Sequence, residues 1–228
     1  MEITFLNEAI VGVAQVHNPS ILHPSFLKAQ HIVPESWEPI EPPICTPPLS
    51  IVKYPEGIVF TAEVNKFQVL KSPPTVDLRE SKLPEYVSKY VRMLPHVPYR
   101  AVGINLSAVI PSSTPEAMLI GRFLQHGPWN SSPLTLAELH LRFVYPLEGG
   151  VLNLSCGPAK SPESFLGGVA SGVIVQGNYH FPVIDTDPAR KAEEFISTFY
   201  DRCTHFEKVM LRIFGNEEQT NESGETLD

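Results

Sequence analysis

The sequence predicts an α+β fold: a single, mostly antiparallel sheet of about six strands, helices packed on one face, and a long C-terminal helix. Three observations predict it. Segments in which apolar and polar residues alternate recur along the chain, and turn residues separate most of them. Other segments repeat their apolar residues at helical spacing, and the longest of these lies near the end. A composition of 43% hydrophobic and 18% charged residues is typical of a chain with a substantial core.

The predicted domain organisation follows from the length and from the composition of the last residues. A chain of 228 residues is long for one domain and short for two, and we expect one domain over residues 1–215. Residues 216–228 read NEEQTNESGETLD, which is acidic and has no apolar periodicity. They are predicted to form a disordered acidic tail.

The first predicted element is a strand, and a segment rich in proline follows it. The opening stretch MEITFLNEAIVGVAQV lacks the basic region of a secretory signal, so we expect a strand of the mature protein. Prolines recur through residues 17–49 and exclude regular structure beyond a short helix at about 24–30. Trp37 and Ile40 make this segment too apolar for a free linker, which predicts an ordered strap lying on the main body.

The next elements are a hairpin, a helix and a strand. Residues 50–70 are predicted to form a hairpin that turns at Pro55-Glu56-Gly57, and we attribute a shift in its apolar phase to a bulge near Asn65-Lys66. The segment LPEYVSKYVRML has the apolar spacing of an amphipathic helix. Pro95 ends that helix and leads into the predicted strand YRAVGINLSAVI.

The second half repeats this pattern and then adds the long helix. A helix is predicted in TPEAMLIGRFLQH, a hairpin around Glu148-Gly149-Gly150, and a further strand in GVIVQGNYHFPVI. From Asp187 to Gly215 an apolar stripe predicts one continuous helix. We expect its stripe to pack on the apolar face of the sheet, against Leu139, Leu141, Val175 and Tyr179.

If the helices cover one face of the sheet, the other face collects polar side chains from separate strands. The catalytic candidates there are His140 and His180 as acid and base groups, Glu138 as the residue that orients them, and Arg142 as an anion contact. The binding candidates are Asn105, Gln176, Asn178 and Asn153. The alternative interpretation is that this face is polar only because it lies in water.

Motifs and cysteine spacing give no sign of a cofactor or a metal site. Phosphate loops, dinucleotide fingerprints and the HExxH and GxSxG motifs are absent from the sequence. Cys45, Cys156 and Cys203 are far apart and form no CxxC pair, which predicts reduced thiols in a cytoplasmic protein.

Charge and hydropathy narrow the classes of partner. The net charge of −8 works against nucleic-acid binding, and no apolar run reaches the roughly 20 residues that span a bilayer. The leading hypothesis is a non-enzymatic cytoplasmic protein that binds other protein chains or copies of itself as a homo-oligomer. The alternative is an enzyme or small-molecule binder that uses the polar face of the sheet.

Overall fold

A computed structural model describes residues 2–160 and 167–215 of the chain. These residues form one antiparallel sheet and five α-helices, which confirms the predicted α+β class with a single sheet. The predicted tail at 216–228 lies outside the described residues. The strands are β1 (Thr4–Ala14), β2 (Ile44–Cys45), β3 (Leu49–Tyr54), β4 (Ile58–Glu63), β5 (Lys66–Lys71), β6 (Tyr99–Pro111), β7 (Leu141–Leu147), β8 (Gly150–Lys160) and β9 (Ser171–Pro182). The helices are α1 (Pro24–Ala29), α2 (Leu83–Met93), α3 (Pro115–Phe123), α4 (Pro188–Ser197) and α5 (Phe199–Phe214).

The sheet has nine strands in the order β2-β3-β4-β5-β1-β6-β9-β8-β7, and not the predicted six or so. The segments predicted individually amount to seven strands, and one of the two further strands arises at Val64-Asn65, where a two-residue turn sets Glu63 opposite Lys66 and separates β4 from β5. The predicted bulge at this point is therefore wrong, because a turn shifts the apolar phase just as a bulge does. The other extra strand is β2, which pairs with β3 from within the proline-rich segment.

The helices and one face of the sheet enclose a continuous hydrophobic core. Alternate residues along the strands point into it, among them Phe60 on β4, Ile104 on β6 and Tyr179 on β9. In the proline-rich segment, Leu22 and Leu27 are fully buried in the same core. Apolar side chains thus hold this segment against the sheet.

The predicted C-terminal helix is two helices, α4 and α5, which meet at Thr198. The Thr198 hydroxyl donates a hydrogen bond to the Phe195 carbonyl at 2.8 Å, and the Ser197 hydroxyl donates one to the Glu194 carbonyl at 2.7 Å. Such side-chain bonds compete with helical backbone bonds and bend the chain. The apolar stripe therefore continues across a break that its periodicity does not reveal.

Helix α5 lies closely over the centre of the sheet. Phe206 is fully buried, and a Cβ atom added at Gly177 of β9 would lie 2.7 Å from its ring. The Tyr179 hydroxyl is 2.8 Å from Nδ1 of His205. These contacts fix which face of the sheet is covered. Among the described residues, no helix combines the length and apolar character that crossing a membrane requires.

Candidate binding surface

We call the sheet surface opposite the core the open face. Its side chains are those that alternate with core residues along each strand, so Asn105 lies between the buried Ile104 and Leu106 on β6. On the neighbouring strands the same alternation gives Gln176 and Asn178 of β9, Asn153 and Ser155 of β8, and Arg142 of β7. Five of the eight predicted site residues thus lie together on this surface: Arg142, Asn105, Gln176, Asn178 and Asn153.

Three asparagines form a continuous row of hydrogen bonds across this face, which we call the amide ladder. The strand register sets Asn178 directly opposite both Asn105 and Asn153. Nδ2 of Asn178 donates to Oδ1 of Asn105 at 2.5 Å, and Nδ2 of Asn153 donates to Oδ1 of Asn178 at 3.3 Å. Arg142, diagonally placed on β7, donates from Nη2 to Oδ1 of Asn153 at 3.0 Å. All three bonds run in one direction, from the edge strand toward the centre of the sheet.

The amide ladder lines a depression of about 440 Å³ together with Ser107, Ser155 and Gln176. Arg142 is the only ionisable side chain among the residues that line it. Amides and hydroxyls do not titrate near neutral pH, and a guanidinium keeps its proton. The groups in the depression can therefore donate and accept hydrogen bonds and hold one positive charge, but they cannot exchange protons with a ligand.

The remaining predicted residues lie away from the depression. His140 precedes β7, covers Gly157 of β8, and places its Nε2 3.1 Å from Oε1 of Glu138. Both of these side chains are mostly exposed, at 66% and 58%. His180 is opposite Val151, six positions from Gly157 along β8, or about 20 Å at the rise of a strand. The structure does not bring the two histidines to a common reaction centre.

The other half of the open face contains an apolar row among polar and charged side chains, and the sequence reasoning missed this row. Val59 of β4 pairs with Leu70 of β5, Leu70 pairs with Ala9 of β1, and Ala9 pairs with Asn105. One cross-strand row therefore runs from the half-buried Val59 and Leu70 through the buried Ala9 into the amide ladder. The sequence does carry a sign of this row. In β1 and β4, apolar residues occur in both of the alternating sets that face opposite sides of the sheet, as in EAIVGVA and IVFTA. Such a pattern is typical of strands that contact something on both faces.

The buried titratable groups belong to the opposite, helix-covered side. His17 places its Nε2 2.9 Å from the Tyr90 hydroxyl, and burial lowers the pKa of His17 while it raises the pKa of Tyr90. Burial also raises the pKa of Cys156 to about 11, and all three cysteines are free. These environments favour the uncharged forms of His17, Tyr90 and Cys156, so none of these side chains adds reactivity to the open face.

Among the described residues, no group of three His, Cys, Asp or Glu side chains is placed to hold a metal ion. No protein-family model matches the sequence, and no curated protein is significantly similar to it.

Proposed function

We propose that the protein functions by binding, without catalysis, and that its ligand is a segment of another polypeptide that lies on the open face. The observation behind this proposal is the row of paired residues in which apolar Val59, Leu70 and Ala9 continue into Asn105 and the rest of the amide ladder. A ligand that covers this row must offer apolar groups at one end and hydrogen-bonding groups at the other. A polypeptide offers both.

The hydrogen-bonding capacity of the amide ladder supports the same ligand class. Within the ladder, Asn153 and Asn178 each use one N–H donor, which leaves a second N–H on each amide. Asn105, at the end of the ladder, accepts from Asn178 and donates to no other ladder residue. Side-chain amides carry the same donors and acceptors as the peptide group, so they are complementary to backbone N–H and C=O groups.

The chemistry of the depression argues for binding and against acid–base catalysis. General acid–base chemistry needs a group whose pKa lies near the working pH. The depression offers amides, hydroxyls and Arg142, and the two candidate histidines lie at positions about 20 Å apart along β8. The arrangement supports recognition of a ligand that leaves chemically unchanged.

Site-specific photo-crosslinking tests the proposal. A photo-crosslinking residue is placed at Gln176, which is exposed in the depression, and separately at Val59 in the apolar row. The matched control is Gln125, which is exposed after α3 on the helix-covered side. In native cell extract we expect one polypeptide to be crosslinked from both open-face positions, and this product to be lost in an Asn178→Ala background. A product that forms equally from Gln125, or that Asn178→Ala leaves unchanged, would contradict the proposal.

A second candidate function is the binding of a small polar molecule, and the volume of the depression favours it. About 440 Å³ lies within the range of small-ligand sites, although such sites are mostly apolar. A thermal-shift screen of polar metabolites with the wild type and the Arg142→Gln and Asn153→Ala variants distinguishes the two. A small molecule that raises the melting temperature of the wild type, but not that of either variant, favours this second function.

The cytoplasmic location and the exclusion of nucleic acid stay predictions. The three free cysteines and the net charge of −8 support them.

A further inference from the structure

The two edges of the sheet differ in how they are protected. The edge strand β2 has only two residues, and Pro42, Pro43, Pro47 and Pro48 flank it. Short edge strands and prolines are devices that prevent a sheet from pairing with another chain. The opposite edge, β7, has seven residues, and Val144 at its middle is 57% exposed. Within residues 2–160 and 167–215, only one of the two edges is therefore blocked.

The turn between β7 and β8 determines which backbone groups of β7 are free. Glu148-Gly149 forms a two-residue turn that makes Leu147 and Gly150 a hydrogen-bonded pair. Hydrogen bonding then alternates along the strand, so Arg142 and Val144 direct their N–H and C=O groups away from β8. The backbone of Pro146 also faces away from β8. The absence of an N–H at this proline therefore costs no hydrogen bond between β7 and β8.

We propose that two copies of the chain join through β7, antiparallel to one another, about a twofold axis at Phe143. In this register Arg142 lies opposite Val144 of the second copy, and each pair exchanges two backbone hydrogen bonds. Phe143 lies opposite Phe143 of the second copy, and Leu141 lies opposite its Tyr145. Apolar pairs of this kind stabilise neighbouring strands on the helix-covered side.

Twofold axes at the two neighbouring residues, Val144 and Arg142, would give less favourable pairings than the axis at Phe143. An axis at Val144 would set Arg142 against Pro146, which cannot return a hydrogen bond. An axis at Arg142 would set two guanidinium groups directly opposite each other. The axis at Phe143 pairs every outward donor of Arg142 and Val144 and leaves both arginines opposite a valine.

The dimer would join the two nine-stranded sheets into one and bring the two amide ladders together. Arg142 on β7 donates to the outer end of each ladder and lines each depression, so the two depressions would meet across the axis. The inference does not rest on the proposed open-face ligand, because oligomeric state is measured without one.

Size-exclusion chromatography with light scattering of the full chain at micromolar concentration tests this inference. We expect the wild type at twice 25.3 kDa. Val144→Pro removes an outward N–H and should give a monomer whose thermal unfolding is that of a folded chain. The matched variant Val144→Thr keeps the N–H and should remain a dimer.

Two further readouts keep the result interpretable. Val144→Lys places a charge on the edge and should weaken the dimer by about tenfold or more even if the proline variant does not fold. Hydrogen exchange of the Val144 amide should slow with increasing protein concentration in the wild type. A monomeric wild type, or a Val144→Pro chain that still dimerises, overturns the inference.

Discussion

Asn178 donates a hydrogen bond to Asn105 across the β6–β9 pair, with 2.5 Å between Nδ2 of Asn178 and Oδ1 of Asn105. The two residues are directly opposed in the register, at the centre of a sheet face that no helix covers in the described residues. Each side chain is half-buried. This pair forms the inner end of the amide ladder.

Replacing Asn178 should lower stability modestly, because it removes two ladder hydrogen bonds. Asn178→Ala is expected to reduce the free energy of unfolding by about 1–2 kcal/mol, at about 1 kcal/mol per bond between neutral groups. Chemical denaturation measures the change. Gln176→Ala on the same strand, which is exposed and lies outside the ladder, should change stability by less than about 0.5 kcal/mol. Equal effects of the two substitutions would show that the ladder bonds contribute nothing to folding.

The close contact between Gly177 and Phe206 predicts opposite effects at two glycines. Gly177→Ala would place a Cβ atom 2.7 Å from the Phe206 ring and should destabilise the fold by about 1–3 kcal/mol. Gly121→Ala in α3 meets nothing within 4 Å and should stabilise the fold by about 0.5–1 kcal/mol. Thermal melts of the two variants and the wild type test the signs. A stable Gly177→Ala chain would mean that α5 can move away from β9.

Burial of Phe206 predicts that α5 is required for folding. Phe206→Ala should cost about 3–5 kcal/mol, whereas Leu211→Ala, at a site 45% exposed on the same helix, should cost far less. A chain that ends at Thr186 lacks both α4 and α5 and is expected to aggregate, since the apolar face of the sheet is then uncovered. Cooperative melting of that truncated chain would show instead that the two helices are an accessory arm.

The buried histidine predicts a loss of stability in acid. The folded state lowers the pKa of His17 below the 6.5 of the unfolded chain, so the unfolded state binds more protons as the pH falls. The contribution of neutral His17 to the free energy of unfolding is therefore fully present above pH 6.5. It is lost as the pH falls from 6.5 to the folded-state pKa of His17. His205 contributes with the same sign, because burial also lowers its pKa.

Urea unfolding at a series of pH values measures this dependence. In the His17→Gln variant, the free energy of unfolding should depend less steeply on pH. The part of the dependence that is due to His205 should remain. The Gln125→Ala variant changes an exposed side chain that does not titrate, so it serves as the control and should keep the wild-type slope. An unchanged slope in His17→Gln would place the acid sensitivity elsewhere in the chain.

Local pattern within the sequence was sufficient for the fold class and for the members of the polar surface. Alternation along YRAVGINLSAVI separates Asn105 from the core residues beside it, and the same period places Asn178 and Asn153 outside the core. These assignments depend only on neighbours within one strand. They could therefore be made before any pairing between strands was known.

The prediction failed where two different local structures produce the same pattern of apolar residues in the sequence. The turn at Val64-Asn65 and a bulge shift the apolar phase equally, and the break at Thr198 leaves the apolar stripe intact. The hydrogen bonds of Thr198 and the pairing of Glu63 with Lys66 decide these cases. Both depend on contacts that periodicity does not record.

The sequence by itself determined that polar side chains would collect on one face, whereas the tertiary structure decided which of them meet. The order β1-β6-β9-β8 and the register within it set Asn105, Asn178 and Asn153 in one row and leave His140 and His180 apart. Strand order and register arise from burial of the whole core between residues far apart in the chain. A one-residue slip would move a strand's side chains to the other face, so packing of the core fixes the row on the open face.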